Sequence, residues 1–250
     1  MKKIFGFVSI YSGRIAWAPP IFLGALYFFS MCVAPWLISG WSWAYVQKVW
    51  WNWQSLNVGV IALASSLIAL KVVAYRESKQ RKRDFVAARA FLPHALSELC
   101  SYFKDCADVL LEALNNVSSN EPEPIGLKIP VSPAEYRLVF SKCIAFAESD
   151  VAEYLARLVN KLQVHQSRLQ GVSDDLSKRH GRVLQRANFL EYLKCLAEMQ
   201  AMVNNIFGFS RGEGVIDFGV LAWPEYRTAY FNLGHLLDKL PELERYAKKP

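Results

Sequence analysis

Cysteine, histidine and glycine-rich segments are the places where this 250-residue chain could carry chemistry. The five cysteines form no Cys-x-x-Cys pair, and the four histidines form no i, i+4 pair with one another. Neither set therefore follows a familiar zinc-ligand pattern. We expect reduced thiols, no catalytic residue, no metal and no cofactor, and hence not an enzyme, although an enzyme with a dispersed site stays open. The residues considered are Cys32, Cys100, Cys106, Cys143, Cys195, His94, His165, His180 and His235.

The segment Gly208–Gly214 contains three glycines and is the part of the sequence most similar to a phosphate-binding loop. It lacks the preceding strand and the Gly-Lys-Ser/Thr sequence that a P-loop requires. We therefore predict an ordinary loop, whose Arg211 and Glu213 could still form a contact surface.

Charge is distributed very unevenly along the chain. Residues 1–83 hold ten of the 29 Lys and Arg residues but one of the 22 acidic residues. Residues 84–250 are close to neutral, with 19 basic and 21 acidic side chains. This asymmetry argues against a body that binds nucleic acid over its whole surface, and it places the basic character near the N-terminus.

Two apolar runs near the N-terminus predict membrane spans. Ile21–Ser39 contains no charge, and Val58–Tyr75 contains Lys71 alone. About 20 apolar residues suffice to cross a bilayer core as a helix, and Lys71 lies close enough to the end to reach the headgroups. We predict spans at about 20–40 and 57–75. The alternatives are a buried helix of a soluble protein and a cleaved signal peptide, but the first run is too long and bulky for the latter.

The orientation of these spans follows from the basic residues beside them. Three precede the first span, one lies between the spans, and seven lie between Lys71 and Arg89. The positive-inside rule then predicts a hairpin with both termini in the cytoplasm.

The short segment Gly40–Asn57 between the spans is rich in tryptophan and is predicted as an outer loop. Indole rings favour the membrane–water boundary, because the ring is apolar and its N–H prefers water. A platform for stacking a ligand is the alternative. The residues are Trp41, Trp43, Trp50, Trp51 and Trp53.

Small residues recur along one face of the second span. Gly59, Ala62, Ser66 and Ala69 follow one another at spacings of three, four and three. Small side chains on one face let helix backbones approach closely in lipid, so this face predicts packing against the first span or against a second copy. The spans contain no acidic residue that would mark an ion or proton pathway, which disfavours a transporter.

The basic run Arg76–Arg83 follows the second span. Its position predicts contact with anionic lipid, and its charge would also suit a nucleic-acid backbone. No aromatic residue interrupts the run, so base stacking is not predicted. The basic residues are Arg76, Lys79, Arg81, Lys82 and Arg83.

Residues 84–250 have the periodicity of amphipathic helices. Apolar residues from Leu92 to Val117 and from Tyr136 to Leu169 recur at steps of three and four, which predicts helices to about 116 and about 170. The second is either one long helix or bent in its middle. A third helix is predicted from Ser173, and strand-like alternation is confined to Gly214–Leu221. The sequence therefore predicts an all-α fold with a transmembrane hairpin in residues 1–83 and a cytoplasmic helical bundle in 84–250.

This plan resembles the two-transmembrane effectors of bacterial anti-phage systems, and it looks most like the effector encoded beside a retron reverse transcriptase. The resemblance rests on the apolar runs 21–39 and 58–75, the basic Arg76–Arg83 and the helical remainder. It implies a toxin of abortive infection, silenced by a reverse transcriptase with its DNA–RNA product. When released it would assemble into homo-oligomers and damage the bacterial inner membrane. The alternative is a non-toxic, membrane-anchored scaffold or sensor that recruits a cytoplasmic partner.

Overall fold

A computed structural model describes residues 18–119, 124–177 and 185–248 of the chain. Regular structure in these ranges is helical throughout and includes no β-strand, which confirms the all-α prediction for them. Internal contacts divide the chain into residues 1–76 and 77–250. The division lies seven residues before the expected boundary at 83/84.

The first unit contains an interrupted apolar helix followed by two further helices. Helix α1 (Ala18–Phe28) continues through a π-helical turn, Phe29–Val33, into α2 (Ala34–Ile38). Helix α3 covers Trp43–Asn52, and α4 covers Gln54–Arg89 and continues beyond the end of this unit.

One helical stretch of the described residues, Gln54–Val117, is long and apolar enough to cross a membrane. It contains the second predicted span. The first predicted span forms a shorter apolar helix, Phe22–Ile38. Its α-helical register is interrupted because the π turn adds a residue and Pro35 has no N–H to donate. The described residues therefore show one long apolar helix and do not support the predicted two-helix hairpin.

The tryptophan-rich segment is helical rather than a loop, which corrects the prediction for Gly40–Asn57. The chain reverses at Gly40 and Trp41, both of which have positive φ angles, and α3 starts at Trp43. Residues 43–52 contain no Gly or Pro, and Val46 is buried against the rest of the unit, so a helix here is both permitted and packed.

The second unit is a bundle arranged around one central helix. It contains α5 (Leu92–Val117), α6 (Glu135–Phe146), α7 (Ser149–Ser177), α8 (Arg186–Arg211), α9 (Trp223–Asn232), α10 (Leu236–Lys239) and α11 (Glu242–Ala247). Helix α8 packs against α5, α7, α9 and α11. Because it has neighbours on several sides, most of its side chains from Phe189 to Ile206 are buried.

The predicted apolar stripes form the core of this bundle. The stripe of α5 from Leu92 to Ala113 is almost wholly inaccessible to solvent, and so is most of the stripe from Tyr136 to Leu169. Pro93 lies in the first turn of α5, where its missing N–H costs no helical bond, and α4 ends just before it.

Three local predictions in the bundle are wrong. Helix α7 runs through Ser173, where a new helix was expected, because Leu169 and Val172 keep its apolar face buried past Gly171. Gly208–Gly214, predicted as a loop, is helical as far as Arg211. The strand-like alternation of Gly214–Leu221 does not form a strand. The backbone of this segment bonds to Asn205, whose Nδ2 donates to the carbonyl oxygen of Asp217 at 2.6 Å and whose Oδ1 accepts from the Asp217 N–H at 3.2 Å.

Leu193 on α8 offers a direct test of this core. Its side chain is fully buried, so Leu193→Ala should lower the free energy of unfolding by about 2–5 kcal/mol through lost contacts and a residual cavity. The measurement is urea-dependent labelling of the buried thiols Cys106 and Cys143 in the full chain in detergent. Leu138→Ala, at a position 60% exposed, is the control and should change little. Equal destabilisation by both variants would contradict the described packing.

Candidate membrane-interacting site

A hydrogen bond between a side chain and the backbone organises the first unit. In a regular helix the N–H of residue 35 would donate to the carbonyl of Met31, but Pro35 has none. The indole N–H of Trp50 donates to that Met31 oxygen instead, at 3.0 Å. Trp50 thereby joins α3 to the π-helical turn and satisfies a carbonyl that hydrocarbon could not.

A second polar contact joins α1 to α4. The Tyr27 hydroxyl donates to Oδ1 of Asn57 at 2.7 Å, and Asn57 is only 5% exposed. The bond satisfies Oδ1 of the buried amide, whereas Nδ2 is buried without a hydrogen-bond partner in the described residues. The two helices that correspond to the predicted spans are therefore connected near Asn57.

An apolar groove of about 840 Å³ lies between the π turn with α2 on one side and α3 on the other. Trp36 forms part of its wall, with its ring centroid 5.6 Å from Trp41 and 5.7 Å from Trp43. Lys48 is the one charged residue of the lining. An apolar wall with a single cation matches the chemistry of an anionic amphiphile such as a phospholipid.

The predicted interfacial tryptophans all lie on α3 or at its ends, and none is buried. Their side chains are between 42% and 76% exposed, with Trp50 the least because its N–H is bound to Met31. Exposed indoles at this density are costly in water and favourable at a bilayer surface. The structure thus brings together Trp41, Trp43, Trp50, Trp51 and Trp53.

The small-residue face of α4 is not covered by any described part of the chain. Gly59, Ala62, Ser66 and Ala69 are all exposed, and a Cβ added at Gly59 would meet no atom within 4 Å. The Ser66 hydroxyl donates to the Ala62 carbonyl at 2.9 Å, so its polar group needs no other partner. Of the two partners considered for this face, packing on the first span is not observed in the described residues. A second copy stays a prediction.

The basic run Arg76–Arg83 lies within α4, and Arg81 differs from its neighbours. Its Nε donates to the carbonyl oxygen of Phe146 at 3.3 Å, and its Nη2 donates to that of Ala147 at 3.1 Å. The last carbonyls of a helix have no internal donor, and Arg81 supplies two for α6. Its guanidinium is thus occupied by the backbone.

Three other cations of the run share a different face of α4. At 100° per residue, Lys79, Lys82 and Arg83 fall within a sector of about 100°, and all three are exposed. Arg81 lies on the opposite side, as does Asp84, which accepts a 2.9 Å bond from Gln80. Arg76, the last residue of the first unit, precedes them by one turn. Lys79, Lys82 and Arg83 therefore lie on a face of the helix away from Asp84.

One cluster was missed in the sequence. His94, Glu98 and Glu135 have ligand atoms that all lie within 4.8 Å of one another. The i, i+4 spacing of His94 and Glu98 was visible in the sequence, whereas Glu135 joins them only through the packing of α6 beside α5. One imidazole and two carboxylates suit a divalent cation such as Zn²⁺ or Mn²⁺, but His94 and Glu135 are exposed and we assign no metal to them.

The cysteines of the core are unsuited to catalysis. Burial raises the pKa of Cys106 to about 12 and that of Cys143 to about 11, so both are protonated thiols at neutral pH.

His235 is exposed beside Asp238, and His180 lies outside the described residues. Arg211 and Glu213 lie exposed at the C-terminal end of α8, where Gly212 has a positive φ angle.

Comparison with known proteins does not identify a relative: no family model, no curated protein and no solved structure matches the chain.

Hydrogen exchange tests whether Arg81, unlike the other cations of the basic run, caps the end of α6. Arg81→Gln removes donors from the end of α6, so amides in its last turn should exchange about fivefold faster, the equivalent of about 1 kcal/mol. Lys82→Gln makes the same change of charge about 100° around the helix, on the exposed cationic face, and should leave these amides unchanged. Equal exchange in the two variants would show that Arg81 does not cap the helix.

Proposed function

We propose that the protein is a membrane-anchored effector of bacterial anti-phage defence, which damages the inner membrane when it is released from a reverse transcriptase and its DNA–RNA product. The observation that carries the membrane part is the helix α4. The apolar window of this helix has no residue buried within the chain, and the exposed tryptophans of α3 immediately precede it. The defence context comes from the resemblance in overall plan.

In this proposal the chain inserts as a hairpin with both termini in the cytoplasm. The first passage is made by α1, the π turn and α2, and the second by the apolar part of α4. The bond from Trp50 to Met31 supports insertion of the first passage, because it removes the unpaired carbonyl that Pro35 would otherwise leave in hydrocarbon. The exposed Lys79, Lys82 and Arg83 then meet anionic headgroups on the cytoplasmic side.

Damage to the bilayer requires several copies in this mechanism. The small-residue face of α4 has no partner among the described residues, and a matching face of a second copy would allow close helix contact. Tryptophans held at the headgroup level of each copy would then disturb the lipid around the assembly. A cytoplasmic partner that covers the helical bundle prevents this assembly until it is lost.

The alternative is a non-toxic scaffold or sensor. The bundle exposes large apolar side chains, among them Leu138 and Phe231, which favour a protein partner. A docked partner is common to both functions. Toxicity of the unpartnered chain distinguishes them.

Topology is tested by thiol labelling in a background without the native cysteines. Cysteine placed at Ser42, beside α3, should react with an impermeant reagent added outside the inner membrane. Cysteine placed at Ser119, in the bundle, should react only after the membrane is opened. The reverse pattern would overturn the proposed hairpin, and labelling of neither site from outside would exclude a crossing of the membrane by α1 and α2.

Toxicity is tested by expressing the full chain with and without the partner encoded beside it. Alone it should depolarise the inner membrane and admit propidium iodide, and the partner should suppress both effects. Ala62→Leu blocks the small-residue face and should reduce killing and crosslinking at least fivefold. Ala64→Leu makes the same change on the opposite face and is the matched control.

The tryptophans provide a second arm of the same experiment. Trp51→Ala with Trp53→Ala should weaken permeabilisation while the protein still fractionates with membranes, because neither indole makes the bond that Trp50 makes. High accumulation of the unpartnered chain in membranes with normal potential and growth would refute the toxin and favour the scaffold.

A further inference from the structure

A cleft of about 310 Å³ lies between α7 and α8 in the second unit. Arg157, Lys161 and Arg168 line its α7 side at spacings of four and seven residues, which place them on one face of that helix. Tyr192 and Met199 line it from α8. The cleft therefore has a cationic wall and an aromatic and apolar wall.

Part of the positive charge is balanced within the protein. Lys161 forms an ion pair with Glu198 at 2.8 Å. Arg168 contacts Tyr192, with its guanidinium carbon 5.8 Å from the ring centroid, and its Nη1 lies 3.8 Å from Cys195 Sγ. Two carboxylates contact the lining, Glu198 at Lys161 and Glu191 at Cys195 Sγ, at 3.6 Å. Three cations exceed these two acids, so the net charge is positive and an anion is the complementary ligand.

His165 supplies an independent observation in the same cleft. It lines the cavity, is only 5% exposed, and its Nε2 is buried without a hydrogen-bond partner in the described residues. Burial, with Arg168 nearby, lowers the pKa of His165 to about 4, so the ring is neutral at pH 7. A neutral imidazole can donate from Nε2 to an oxygen atom. A solvated surface would not leave this nitrogen unpaired.

We propose that this cleft binds a phosphorylated small molecule of about mononucleotide size. The phosphate pairs with Arg157 and Lys161 beside the Asn160 amide, and His165 Nε2 donates to an oxygen of the ligand. The planar or apolar part lies between Tyr192, Arg168 and Val164, since the antiparallel run of α7 and α8 places these side chains at the other end. The volume suits a small ligand rather than a nucleic-acid strand.

The test is calorimetric titration of the full chain, in detergent and without a partner, with AMP as the probe. AMP should bind saturably and more tightly than adenosine, which lacks the phosphate, or inorganic phosphate, which lacks the apolar part. Arg157→Gln should weaken AMP binding at least tenfold, because it removes a charge-assisted contact. It should leave the thermal midpoint of the free protein unchanged, because Arg157 is exposed.

Lys142→Gln removes one exposed cation on α6, outside the cleft, and should change AMP affinity less than twofold. His165→Gln should also weaken binding, and the thermal midpoint of that variant shows whether it folds. Absence of saturable AMP binding, or equal binding by Arg157→Gln and the unchanged chain, would overturn the proposal. Phosphate binding as tightly as AMP would refute the stated ligand class, and tighter competition by a single-stranded oligonucleotide would assign the cleft to nucleic acid. The site is independent of the proposed toxicity, so either can fail alone.

Discussion

Backbone groups that regular helices leave without partners govern how this chain is assembled. Pro35 has no N–H for the Met31 carbonyl, and Trp50 supplies the donor from α3. The end of α6 leaves two carbonyls that Arg81 binds from α4. At each position a side chain distant in sequence donates a hydrogen bond to a backbone carbonyl that would otherwise be unpaired. An unpaired carbonyl costs most free energy where water is excluded. These contacts connect α3 to the π turn and α4 to the end of α6.

These contacts distinguish the residues that hold the helices together from neighbours of the same type that stay exposed. Trp50 and Arg81 belong by composition to an aromatic cluster and a basic cluster, yet each is held by a backbone carbonyl. Their neighbours, such as Trp51 and Lys82, stay exposed and available to a bilayer. The candidate membrane surface thus contains residues that build the fold and residues whose side chains are exposed. A variant that replaces a whole cluster would therefore mix loss of folding contacts with loss of exposed binding groups.

The helical bundle buries inert thiols and also a histidine whose ring nitrogen has no hydrogen-bond partner in the described residues. Cys106 and Cys143 are inert core thiols, because burial raises the pKa of each. His165 is different, since it is buried beside a cavity with an unpaired nitrogen and three cations around it. A neutral ring in that position is suited to hydrogen bonding, whereas its low pKa disfavours general base catalysis near pH 7. Binding therefore accounts for this cleft better than chemistry does.

Hydrophobic periodicity in the sequence determined the all-α class and the buried stripes of α5 to α7, because burial follows local spacing. Composition alone determined the apolar character of α4, whose apolar window is exposed. Tertiary structure decided the rest. The tryptophan segment forms a helix with Trp50 bound to Met31. The backbone of Asp217, within Gly214–Leu221, is bonded to the side chain of Asn205. Arg157, His165 and Tyr192 met in one cleft only because α7 and α8 pack together. Such contacts join residues far apart along the chain, and no local pattern encodes them.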